Sequence, residues 1–116
     1  MAARFCFVDY DRELALCAEI MEDDQPLFIA VARLVGDPDH QEADYGVHVA
    51  DTFQHRGLGL LLTQKCVEIG RRWGLTRIIG ETTTDNLAMI RIFRRLGFEV
   101  DFRAEENAVL ARLNLQ

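Results

Sequence analysis

One segment limits what this chain can fold into more than any other: Gln54-His55-Arg56-Gly57-Leu58-Gly59. It follows a stretch that alternates like a strand and precedes one with a helical period. The first amides of a helix have no intrahelical partners, and they carry the positive end of the helix dipole. Glycines at 57 and 59 remove side chains that would block an incoming phosphate. Arg56 adds a charge-assisted donor. The result is an anion cradle that needs no metal. A tight turn with close helix–sheet packing explains the glycines equally well at this point. The segment lacks the Gly-Lys-Ser/Thr of a Walker loop and the third glycine of a dinucleotide fingerprint.

The flanks supply the rest of the architecture. In Asp44-Tyr45-Gly46-Val47-His48-Val49, Tyr45, Val47 and Val49 share one face of a half-buried strand. Leu58, Leu62, Cys66, Ile69 and Trp73 recur on one helical face. Arg71 and Arg72 suit the C-terminal end of the dipole, and Gly74 suits the position just beyond it. Upstream, Leu14 to Met21 and Leu27 to Val35 flank a polar break, Glu22 to Pro26, and predict an antiparallel hairpin. Arg4 to Asp11 has room for only a short strand or loop. Downstream, Arg77 to Thr82 predicts a strand. Asn86 and its neighbours offer N-caps for a helix lined by Met89, Phe93 and Leu96 and ended by Gly97. Phe98 to Arg103 and Ala108 to Leu115 predict two final strands. The order β-β-β-α-β-α-β-β implies one domain over 1–116, of α/β or α+β class, with helices packed on a mixed sheet.

Composition narrows the function. With 116 residues, 49% apolar and 28% charged, the chain suits a single globular core. No apolar run approaches the ~18 residues that span a bilayer. The net charge of −6 argues against nucleic acid and suits a cationic substrate such as an amine. Met1-Ala2-Ala3-Arg4-Phe5 lacks the form of a signal peptide. Cys6, Cys17 and Cys66 match no zinc or redox spacing and predict small buried hydrophobes in a reducing, cytoplasmic setting.

Gln54, Gly57 and Gly59 resemble the Gln/Arg-x-x-Gly-x-Gly/Ala signature of the GNAT N-acetyltransferase superfamily. The preceding strand, the following helix and the later Asn86…Leu96-Gly97-Phe98 match in order and spacing. Val8 to Leu16, Ala32-Arg33-Leu34 and Ala43 to Val47 are closer still to the GNAT domains of bacterial protein-lysine acetyltransferases, including those fused to acyl-CoA synthetase-like halves. The resemblance covers nearly the whole chain. It implies a mixed, mostly antiparallel sheet and acetyl-CoA as co-substrate, without metal. The pyrophosphate would rest on Gln54, His55, Arg56, Gly57, Leu58, Gly59 and Leu60. The pantetheine arm would meet the backbone of Val47, His48 and Val49 in a splay between strands 44–49 and 77–82. Asn86 would lie near the thioester end.

The same resemblance marks departures. GNAT domains usually begin with a strand and two helices, and this chain is expected to start after them. The lysine acetyltransferases place a Glu base where Asp44 stands. Asp44 is one methylene shorter and would work through a bridging water. Glu42, on the same strand face, and Glu81, on the neighbouring strand, are the other candidate bases. Where many relatives carry a Tyr acid, this chain has Phe93, which cannot donate a proton. His48 shares the Asp44 face, where it also reads as a plain cross-strand polar residue. The expected activity is acetyl transfer from acetyl-CoA to a primary amine, with a protein lysine as one candidate. The alternative is a non-catalytic acyl-CoA-binding regulatory module. Exposed sheet edges leave a homodimer open as one way to pair them.

Overall fold

A computed structural model describes residues 4–9, 13–39, 41–50, 53–54 and 57–116. Seven strands form one sheet in the order β1-β2-β3-β4-β5-β7-β6. They are β1 (Arg4–Asp9), β2 (Glu13–Glu22), β3 (Gln25–Gly36), β4 (Glu42–Val49), β5 (Arg77–Thr82), β6 (Glu99–Arg103) and β7 (Ala108–Asn114). Helix α1 (Leu58–Trp73) connects β4 to β5, and α2 (Leu87–Arg95) connects β5 to β6. All described strand pairs are antiparallel except β4 with β5. A crossover helix between parallel neighbours is what that pairing requires.

The predicted hairpin is β2–β3, and its turn is tight. Glu22 faces Gln25, and Asp23 and Asp24 both take positive φ, 52° and 62°. Two left-handed residues make a turn whose twist matches the strands, and Asp tolerates that conformation better than most. The expected short strand or loop at the N-terminus is β1, an edge strand antiparallel to β2.

Both helices cover the same face of the sheet. A Cβ on Gly70 of α1 would lie 3.0 Å from Ile78 Cδ1, and one on Gly80 of β5 would lie 2.6 Å from Phe93 Cζ of α2. Ile78 and Gly80 are two residues apart and share a face. Between helices and sheet lies one core that includes Leu14, Leu16, Leu34, Leu62, Cys66 and Phe93. Phe93 also packs on Phe98, ring centroids 4.9 Å apart. The predicted α1 stripe is present but centred differently. Leu62 and Cys66 are buried together with Thr63 and Gly70, while Leu58, Ile69 and Trp73 are only partly buried.

The opposite face carries Arg4, Cys6, Glu13, Cys17, Val31, Arg33, Asp44, His48 and Glu81, and no described helix covers it. This overturns the expectation of three buried cysteines. Cys66 is buried on the inner side of α1, whereas Cys6 is exposed and Cys17 half-buried. Glu19, although buried, accepts hydrogen bonds from the Arg4 guanidinium, so its charge is paired.

Candidate functional site

The site begins where β4 and β5 part. Their pairing runs from Glu42 opposite Arg77 to Tyr45 opposite Gly80 and stops there. Beyond it β4 stays with β3 as far as Val49, and β5 stays with β7 as far as Thr82. Each strand follows its outer partner, so a gap opens between them. The Ala50 amide donates to Ile29 O across β3, at 2.8 Å. Main-chain groups alternate in direction along a strand, so those of Val47 and Val49 turn towards the gap. Gln54 Nε2 donates to the Val49 carbonyl at 3.2 Å, which ties the loop to the strand end.

Helix α1 starts at this gap. Gly57 is its N-cap, with φ +82°, and as a glycine it brings no capping side chain of its own. The first turn also contains no acidic residue. The dipole and amides of such a turn favour an anion. A Cβ at Gly57 would meet nothing within 4 Å, because it would project into open space. Gly59 has a different reason: a Cβ there would lie 3.1 Å from Ile92 Cδ1, so this glycine lets α2 approach α1. The two glycines thus divide the two readings left open by the sequence.

A buried relay holds the helix start against the strand. Tyr45 Oη lies 2.8 Å from Thr63 Oγ1, which donates to Gly59 O at 2.6 Å. Since Thr63 spends its proton on Gly59, Tyr45 is the donor of the first bond. Burial pushes the Tyr45 phenol well above its ordinary range. Cys66, one turn further along α1, is pushed up by burial to about 12. It stays a thiol at neutral pH and is no nucleophile.

The third wall is the start of α2. Asn86 is its N-cap; Oδ1 accepts from the Met89 amide at 3.2 Å. Its Nδ2 donates to Thr82 Oγ1 at 3.0 Å, which fixes α2 to the end of β5.

These three parts line an open cavity of about 670 Å³. Val47, His48, Val49, Gln54, Gly57, Leu58, Gly59, Leu60 and Asn86 all line it. His55 and Arg56, also expected here, lie outside the described residues. Phe53, Thr83, Asp85, Ala88, Met89, Arg91 and Ile92 complete the lining and were not foreseen. Asn86 carried a signal for Met89, which follows it by one helical turn. Arg91 brings a guanidinium to the rim, and its charge suits an anion.

The expected carboxylates are placed otherwise. Asp44, Glu42 and Glu81 do not line the cavity. They stand on the uncovered face, where Asp44 precedes the last β4–β5 pair and Glu81 follows it. Glu42 faces Arg77 in a half-exposed ion pair at 3.3 Å. His48 shares the strand face of Asp44 and also lines the cavity.

Residues 2–98 match the Acetyltransferase (GNAT) family. An L-methionine sulfoximine/L-methionine sulfone acetyltransferase of Pseudomonas aeruginosa is 37% identical over 57 residues, which is 49% of this chain and 33% of that protein. The chain spans half or less of the curated relatives it matches. The GNAT domain of S. lividans PAT superposes with a TM-score of 0.75 at 24% identity, covering 93% of this chain and 65% of that one. The yncA protein of Salmonella typhimurium, solved with its cofactor acetyl-CoA, superposes with a TM-score of 0.69 at 21% identity, covering 90% and 65%.

Proposed function

Because the chain belongs to the GNAT acetyltransferase family, we propose that it moves an acetyl group from acetyl-CoA to a primary amine, with protein lysine among the candidate acceptors. One observation carries this reading. Residues from the end of β4, the start of α1 and the start of α2 meet around a single cavity beside the β4–β5 gap. The cavity matches the parts of the co-substrate. The first turn of α1, with a glycine at its N-cap and no acid, suits a pyrophosphate. The gap-facing main chain of Val47 and Val49 suits the amides of a pantetheine arm. The yncA relative carries acetyl-CoA on the same fold.

Acetyl-CoA supplies an activated acyl group whose leaving atom is sulfur. The protein's share is to orient it and to manage protons. A neutral amine approaches the carbonyl from the uncovered face, through the apex of the gap. Asp44 and Glu81 flank that apex, and either can take the amine proton directly or through water. Asp44 stands where the lysine acetyltransferases that the chain resembles carry a Glu base, and is the first candidate. Glu42, held by Arg77, is the poorest of the three.

Phe93 favours the second reading, a non-catalytic acyl-CoA-binding module. It is fully buried against Phe98 and Gly80, so nothing there protonates a departing thiolate. One paired experiment separates the two readings. Acetyl-CoA is titrated calorimetrically, and free-thiol release is followed with polyamines, amino acids and lysine peptides. Binding with turnover supports the transferase. Binding without turnover on every acceptor supports the module, and absence of binding rejects both.

A further inference from the structure

The cavity leaves the first hairpin unexplained. Cys6 on β1 and Cys17 on β2 are direct cross-strand partners, and both point to the face without helices. Cys6 is exposed and Cys17 half-buried, in contrast to the sealed Cys66. Directly opposed residues of an antiparallel pair have Cα atoms about 4.5–5.5 Å apart. A disulfide accepts about 4.4–6.8 Å. We propose that Cys6 and Cys17 form a reversible intramolecular disulfide that staples β1 to β2.

The chemistry needs an oxidant of the low-molecular-weight disulfide class. The Cys6 thiolate, being exposed, attacks one sulfur of that disulfide and releases one equivalent of small thiol. The Cys17 thiol gives its proton to solvent, and its sulfur attacks Cys6 Sγ in the mixed disulfide. The second small thiol leaves. Two protein thiols and one small disulfide thus become one protein disulfide and two small thiols. Burial, then the neighbouring Cys6, hold the Cys17 thiol above its ordinary range, while Arg33 draws it back towards the thiolate. Cys17 therefore suits the second, resolving step better than the first.

The link would also be easily reduced. Opposed Cβ atoms sit about 4.5–5.5 Å apart across a sheet, whereas a disulfide brings them to about 3.5–4.5 Å. Closing it draws two strands together, and strained, exposed disulfides are the labile ones. The register does not change, because the two residues are already opposite.

The test equilibrates reduced protein with graded ratios of oxidised to reduced glutathione. Free thiols are then blocked and the peptides mapped by mass spectrometry. The expected product is one Cys6–Cys17 link within a single chain, reversed by dithiothreitol and abolished by C6S and by C17S. Cys66 should be alkylated only after denaturation. Glutathione retained on Cys6 without an internal link, links to Cys66, or links between chains would each overturn the proposal. Mapping of the unmutated protein keeps the outcome independent of how either variant folds.

Discussion

Tyr45 Oη and Thr63 Oγ1 lie 2.8 Å apart in the buried space between β4 and α1, and Thr63 passes the bond on to Gly59 O. The first turn of α1, which frames the cavity, is thereby held to the strand whose far end frames it too. T63V should be the more damaging change, because it strands the buried phenol; an unsatisfied buried group costs about 1–3 kcal/mol. Y45F leaves Thr63 bonded to Gly59 and should cost only about 0.5–1.5 kcal/mol. Urea unfolding of the two variants checks the order, and a smaller loss for T63V would show that the relay is not what ties helix to strand.

The two glycines of the loop should respond differently to the same substitution. G57A places a side chain on a left-handed residue, at about 1–2 kcal/mol, and pushes it into the cavity, so acetyl-CoA binding should weaken. G59A instead crowds Ile92, and overpacking of this kind costs roughly 1–3 kcal/mol. The change I92V should recover G59A and leave G57A as it was. Stability curves and calorimetry on the four variants decide it; equal rescue of both would mean that the glycines share one role.

Asp44 should matter for transfer and not for binding. With D44N, acetyl-CoA affinity should hold while kcat falls by about 10²–10⁴, the usual share of a general base. An unchanged kcat would pass the role to Glu81, whose E81Q variant would then carry the loss.

Alkaline pH should weaken the fold through Cys66. Its thiol is raised from 9.0 to about 12 by burial. A raised folded value means that the stabilisation is whole below pH 9 and is lost as pH rises towards 12. The urea midpoint should decline across that window, and C66A should flatten the decline. The Tyr45 phenol, also raised by burial from its ordinary 10.0, would add to the loss above pH 10. Identical slopes in the two proteins would show that Cys66 is not the group responsible.

Most of the fold was legible in local pattern. Alternation marked β4, helical spacing marked α1 and α2, and Gly74 and Gly97 stopped them, because these signals arise from neighbours within one element. The Asp23–Asp24 turn type was not legible, since two adjacent acids say nothing of left-handed φ until the strand register demands it. Thr63 was likewise missed. A threonine on a helix face reads as polar surface, and only the approach of Tyr45 makes it core.

By itself the sequence determined which residues could make the cavity. Gln54, Gly57, Gly59 and Asn86 have chemistry suited to a loop, a helix start and an N-cap wherever those elements go. Tertiary structure decided the rest. It set β4 and β5 apart after Tyr45 and Gly80, because each strand follows a different outer partner. It assigned Gly57 to the opening and Gly59 to α2 packing, and it put Asp44 and Glu81 at the apex of the gap. It also brought Cys6 opposite Cys17. Strand pairing over a distance in the chain is set by which faces are buried together, and no local pattern carries that information.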